Sequence, residues 1–108
     1  MKYEIKKTEY KTVLFLKGVV GLRECQDLKM KVMELSRETS GLLLLDLNQV
    51  DLMDSSGLGA IVYCHNKISS DGKRLCIVNN NSKIDLLFGV TNAHKILEIY
   101  DDEVGLVA

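Results

Sequence analysis

The chain has 108 residues, 46% hydrophobic and 27% charged, with a formal net charge of −1, which suits one compact domain with a single core and is too short for two. So even a charge balance gives no electrostatic case for binding nucleic acid or an anionic membrane surface. The first residues, Met-Lys-Tyr-Glu-Ile, carry no apolar signal region, and no apolar run approaches the ~18 residues of a membrane span, so the sequence reads as that of a cytoplasmic protein.

Residues 3–7 alternate apolar and charged side chains, and Thr12-Val13-Leu14-Phe15-Leu16 is β-branched and aromatic enough for a more buried strand. A hairpin through residues 8–11 joins them, with its turn type left open by the lack of Asn-Gly or Asp-Gly. Lys2, Lys6, Lys7 and Lys11 alternate with Glu4 and Glu9, the pattern of a solvated strand face. Gly18 and Gly21 bracket Val19-Val20 and are expected to end the sheet run. Cys25, Leu28, Val32 and Leu35 then recur at i, i+3, i+7 and i+10, which predicts a first helix. It closes around Glu38-Thr39-Ser40-Gly41, where Gly41 is expected to supply the left-handed C-terminal residue.

Residues 42–47, Leu-Leu-Leu-Leu-Asp-Leu, form a short apolar run that fits a strand covered on both faces. A second helix, from residue 56 to about residue 70, ends at the turn pair Asp71-Gly72 and leads into a strand over 74–78. Asn79-Asn80-Asn81-Ser82 is a polar loop whose last member is expected to cap a third helix over 83–90, with Ile84, Leu87 and Phe88 on its apolar face. Residues 95–100 read as a final short strand and 102–107 as a short terminal helix or tail. Strands alternating with helices argue for an α/β fold: a mixed, mostly parallel sheet of about five strands with an antiparallel N-terminal edge strand, right-handed crossovers, and three to four helices.

Cys25, Cys64 and Cys76 are odd in number and form no CxxC, so they are read as reduced core thiols. His65 and His94 have no HExxH-type spacing and are read as packing or surface residues, and no metal site is expected.

The chain is organised around residues 50–62, where the apolar strand passes through a polar turn into the second helix. Leu58, Ile61, Val62, His65 and Ile68 form one stripe of that helix, and Asp54, Ser55 and Ser56 before it are all N-cap residue types. Taken alone these make a cap, worth ~1 kcal/mol. The turn is a poor enzyme site: there is no GxSxG elbow, no histidine that spacing assigns to Ser55 as a base, and no GxxxxGK[ST] phosphate cradle. No catalytic residue and no cofactor are assigned.

Asp54-Ser55-Ser56-Gly57-Leu58-Gly59, preceded by Leu47-Asn48-Gln49-Val50-Asp51-Leu52-Met53, resembles the signature of the bacterial anti-sigma factor antagonists of the STAS-domain family. It lies at the family's position, after a central strand and opening a helix, and chain length and element order match almost end to end. The resemblance implies a single STAS-type domain over 1–108 that is not an enzyme and is a monomer when free. It also implies partner switching. The unphosphorylated protein binds an anti-sigma factor that is also a serine protein kinase, which frees a sigma factor. Phosphorylation of the first serine after the aspartate, Ser55 here, ends that interaction until a serine phosphatase restores it. On this reading Met53, Asp54, Ser55, Ser56, Gly57 and Leu58 form the partner-binding switch loop, with Ser56 turning inward with the helix, and ATP belongs to the kinase.

One position departs from the family pattern. Relatives have an aspartate after Gly-Glu-hydrophobic at the start of the first helix, whereas Gly18-Val19-Val20 is followed here by Gly21, so slower phosphorylation than in relatives with the acid is expected. Arg23 and Glu24 stand nearby. Two further readings are a STAS interaction module of another assembly, either a stress-signalling complex or the cytoplasmic side of a transporter, and a small nucleotide-acting enzyme.

Overall fold

A computed structural model describes residues 1–104 of the chain. Strand β1 (Lys2–Lys7) and strand β2 (Lys11–Val20) form the N-terminal hairpin; helix α1 (Cys25–Glu38) follows a short 3-10 turn at Leu22–Glu24. Then come β3 (Leu42–Met53), α2 (Ser55–Ser70), β4 (Leu75–Val78), α3 (Ser82–Thr91), a second 3-10 turn at Ala93–Lys95, and β5 (Glu98–Tyr100). The five strands lie in one sheet in sequence order, β1 antiparallel to β2 and all other neighbours parallel. The expected α/β fold is therefore the observed one. The terminal helix or tail expected over 102–107 is described only as far as Val104, and its remainder lies outside the described residues.

Strand order explains where the helices go. Each parallel crossover steps to the next strand in the same direction, and crossovers of one hand that keep stepping the same way place their helices on the same face. Leu14, Leu16, Leu43, Leu45, Leu47, Leu75 and Ile77 accordingly meet Leu28, Val32 and Leu35 of α1, Leu58, Ile61, Cys64 and Ile68 of α2, and Ile84 and Phe88 of α3 in one core. The alternate residues Val13, Leu44, Cys76 and Val78 form a smaller buried cluster on the opposite face. That is why residues 42–47 read as a continuous apolar run: β3 is covered on both sides.

Several boundaries differ from the sequence reading. Strand β2 does not end at Gly18, because that residue takes φ +80 and the β2–β3 register shifts on either side of it, absorbing a bulge and carrying the strand to Val20. Strand β3 likewise runs past Leu47 to Met53. Helix α1 ends at an extended Thr39, not at a left-handed Gly41. Gly41 is needed for another reason: a Cβ there would collide with the Tyr10 carbonyl, which accepts the Leu42 N–H at 3.0 Å. Asn81, one residue earlier than expected, caps α3 by accepting the Lys83 N–H at 3.1 Å. The final strand is shorter than 95–100 because Lys95 belongs to the preceding 3-10 turn. The Asp71-Gly72 turn is as expected, with Gly72 at φ +77. The three thiols are unpaired, Cys64 and Cys76 buried and Cys25 half-buried, and burial pushes Cys64 and Cys76 up to about 11.

Asp46 is a charge-bearing residue inside the second face, 7% exposed. Burial raises its carboxyl above the ordinary aspartate range, the Asn48 N–H at 2.9 Å opposes that shift, and the charge of Glu103 adds to it. A raised folded-state value means the native protein holds the proton more tightly than the unfolded chain, so this group's contribution is fully present below the unfolded value and lost as pH rises through the folded one. Asp46→Asn keeps an acceptor for Asn48 and removes the charge. It should raise the thermal midpoint at pH 7, with the gap over wild type closing as the pH is lowered into the carboxylate range; equal midpoints at neutral pH would contradict the burial argument.

Candidate functional site

The long β3 delivers Met53 to the C-terminal end of the sheet, beside Val20 of β2. Asp54 then leaves the strand in an extended conformation (φ −103, ψ −178) and caps α2, its Oδ1 accepting the Gly57 N–H at 2.9 Å while its carbonyl accepts the Leu58 N–H at 3.1 Å. Of the three residues chemically able to cap, Asp54 is the one that does. Ser55 becomes the first helical residue, one position earlier than the expected start at residue 56. This leaves Asp54 and Ser55 exposed and Ser56 half-buried.

The expected switch loop divides into two layers. Met53, Gly57 and Leu58 are buried and hold the loop in place; Asp54, Ser55 and Ser56 carry its accessible chemistry. Gly57 is buried because α2 starts directly against the end of β2: a Cβ at residue 57 would collide with the Val20 carbonyl, the group that also accepts the Asp54 N–H at 3.4 Å. Gly59, two residues on, has open space around it. The two glycines of one motif thus have different work. Gly21 lies on the other side of the cap, where an added Cβ would stand 3.3 Å from Asp54 Oδ2. An acidic side chain at that position would bring a second carboxylate against the cap.

Neighbours that the sequence did not single out complete the site. Val19 and Leu52, partners across β2 and β3, and Leu22 in the following 3-10 turn are apolar and exposed at 45%, 61% and 74%. Their exposure was hidden in the sequence because the bulge at Gly18 breaks the alternation from which facing is read. The Cys25 sulfur lies 3.1 Å from the Ser56 carbonyl and 3.2 Å from that of Gly21, linking the start of α1 to the loop. On the far side, Asn81 Nδ2 donates to the Val50 carbonyl at 2.9 Å, the Asn80 N–H donates to Asn48 Oδ1, and buried Asn79 donates to Asp85 Oδ1 at 2.8 Å. The polar loop after β4 therefore braces β3 just before the Asp54–Ser55 turn.

The two histidines stand apart from this loop: His94 Nδ1 is 3.2 Å from the Phe88 carbonyl, and the Nδ1 of half-buried His65 has no hydrogen-bond partner among the described residues. Among the described residues, no group of three or more His, Cys, Asp or Glu is placed to hold a metal ion, and no helix is long and apolar enough to cross a membrane. A cavity of about 540 Å³ at the opposite end of the sheet is lined by Arg37, Lys73 and Arg74. Two of these cations serve this chain's own acceptors: Lys73 donates to the Ser36 carbonyl in the last turn of α1 at 2.8 Å, and Arg74 pairs with Glu98 at 2.6 Å.

This single-sheet α/β domain displays an exposed serine, Ser55, beside the aspartate that caps a helix N-terminus. The chain belongs to the STAS domain family, whose model matches residues 2–105. It is 34% identical over 62 residues to the anti-sigma F factor antagonist of Paenibacillus polymyxa, a match that takes in 57% of this chain and 53% of that protein. The chain thus spans about half the length of the curated relatives it matches. Among solved structures it is similar to a Thermotoga maritima protein provisionally named an anti-sigma factor antagonist, with TM-score 0.85 and 25% identity over 96% of this chain and 90% of that one. The fold is also that of the anti-sigma factor antagonist SpoIIAA, solved unphosphorylated and phosphorylated, at TM-score 0.69 and 14% identity; the unphosphorylated form aligns over 94% of this chain and 89% of its own.

The contrast between the motif glycines is testable by urea unfolding. Gly57→Ala should lose about 1–3 kcal/mol, because its methyl group must push α2 away from β2. Gly59→Ala should be neutral or gain about 0.5–1 kcal/mol from improved helix propensity. Equal effects at the two positions would refute the close approach at Val20.

Proposed function

We propose that this protein is an anti-sigma factor antagonist that works by partner switching, with Ser55 as the phosphoacceptor. The observation that carries the reading is the exposed position of Ser55 in the first turn of α2, with the cap supplied by its neighbour Asp54. A serine hydroxyl that is not needed to cap the helix can be modified without unfolding it. The family membership and the anti-sigma factor antagonists among its relatives support the reading, as does the occurrence of the fold in SpoIIAA in both phosphorylation states.

In the unphosphorylated form, the exposed apolar trio Val19, Leu22 and Leu52 and the polar rim of Asp54, Ser55 and Ser56 form the contact surface for an anti-sigma factor that is also a serine kinase. The apolar residues supply burial; the rim supplies register. A phosphoryl group on Ser55 adds roughly −1.5 to −2 charges and three acceptor oxygens. The α2 N-terminus, with its outward N–H groups and positive dipole end, accommodates that charge within this chain. A partner fitted to a neutral hydroxyl does not. Two unit charges ~4 Å apart at an effective dielectric of 20 interact by about 4 kcal/mol, enough to displace a transient interface if the partner presents an acid there. A serine phosphatase resets the switch, and ATP is the kinase's substrate, with no cofactor resident here.

Ser55→Asp should weaken binding to the cognate anti-sigma factor by at least tenfold in titration calorimetry with an unchanged circular dichroism spectrum. Ser55→Ala should bind as the unphosphorylated protein does and take no label from the kinase and ATP. Undiminished affinity of Ser55→Asp, or continued labelling of Ser55→Ala at Ser56, would overturn the assignment.

A further inference from the structure

The row of α2 side chains that begins at Ser55 continues away from the cap. Ser55, Gly59 and Tyr63 are all exposed and stand four residues apart, so they form one ridge along the helix with steps of about 6 Å. A Cβ at residue 59 would have nothing within 4 Å, so the ridge has a bare place one turn on from the serine. At the next turn Tyr63, 48% exposed, faces α1, where Lys29 Nζ lies 4.8 Å from its ring centroid. Met30, 61% exposed, and half-buried Met33 complete the apolar part of a groove of about 420 Å³ between the two helices, with Arg37 at its far end. The charge in this groove is lopsided. Glu34 also lines it but has Lys31 at 3.6 Å, whereas among the described residues neither Lys29 nor Arg37 is paired with a carboxylate.

We propose that the α1–α2 groove extends the partner surface beyond the Ser55 turn and takes an amphipathic helix of the anti-sigma factor, with an apolar stripe edged by carboxylates. The inference rests on the partner-switching reading and adds the chemistry of the partner. Docking a helix in a groove needs an apolar track and room for a second backbone to approach. Met30, Met33 and Tyr63 supply the track, two adaptable thioethers beside a residue type enriched in binding hot spots. Gly59 supplies the room. The cations of Lys29 and Arg37 favour an acidic helix over a basic one. That sign also ties the groove to the serine. Ser55 stands about 12 Å from Tyr63 along the helix axis, so an acidic helix laid along the ridge passes the phosphoacceptor and is repelled by a phosphoryl group on it. A basic helix would be drawn to the phosphorylated form, which is the opposite of release.

Titration calorimetry with the cognate anti-sigma factor compares Ser55→Asp with three groove variants. Gly59→Gln, Tyr63→Ala and the double variant Lys29→Glu with Arg37→Glu should each weaken binding about tenfold or more, with unchanged circular dichroism spectra. Gly59→Gln is the cleanest of these, because it fills open space and removes no contact within the chain. Undiminished affinity in all three groove variants, with loss in Ser55→Asp, overturns the groove and leaves the switch standing. Loss in the groove variants with Ser55→Asp unaffected supports the groove and overturns the switch. Where the wild-type chain does not bind the anti-sigma factor, the partner-switching reading fails and a probe peptide decides the groove. A synthetic amphipathic helix with a leucine stripe and glutamate flanks should shift the methyl NMR signals of Met30 and Met33, and should do so more strongly than its lysine-flanked counterpart. Shifts confined to other residues, or an equal response to both peptides, would overturn the proposal.

Discussion

The turn from Met53 to Leu58 depends on how closely α2 can approach the end of β2. The Val20 carbonyl lies where a side chain at residue 57 would begin, so the helix can dock there because that residue is glycine. The same carbonyl takes the Asp54 N–H, which orients the cap. Val20 in turn reaches this point because the bulge around Gly18 lets β2 continue beyond the regular ladder and stay paired with β3 as far as Met53. A positive-φ glycine in one strand, a side-chain-free helix residue and a capping aspartate thus form one chain of dependence. Ser55 sits at its end and carries none of it.

The sequential strand order has a second consequence. It lets three short crossovers build the helical layer on a single face, which gives a small chain one substantial core. Among the described residues no helix covers the reverse of β2, β3 and β4, and the buried Asp46 sits on that face. A doubly covered sheet usually meets that demand with helices on both sides. Here the chain after β5 brings the Glu103 carboxylate to Lys11 of β2, close enough for its charge to act on Asp46.

Much of this was legible in the sequence. Helix α1 buries Leu28, Val32 and Leu35 of its expected apolar stripe, and α2 follows from the stripe Leu58 to Ile68. The α/β topology follows from the alternation of elements. What sequence reasoning missed lies where a local rule was outweighed by a long-range contact. Gly41 was read as a helix terminator, yet its constraint comes from Tyr10, distant in sequence. Gly18 was read as the end of a strand, although a strand can absorb a positive-φ glycine as a bulge when its neighbour keeps the pairing. The capping residue was ambiguous because Asp, Ser and Ser share the same chemistry; only the backbone path out of β3 selects Asp54. The apolar rim of Val19, Leu22 and Leu52 carried no signal, since scattered apolar residues do not reveal which face they occupy.

That selection has a chemical consequence for the loop. Had a serine capped the helix, modification of its oxygen would compete with the hydrogen bond that starts α2, and a switch at that oxygen would also be a destabilising event. With Asp54 accepting the Gly57 N–H, the cap does not use the Ser55 oxygen. The residue after it stays exposed and lies in the first turn, where negative charge is favoured by the helix dipole. The arrangement separates the group that holds the helix, Asp54, from the exposed serine that follows it.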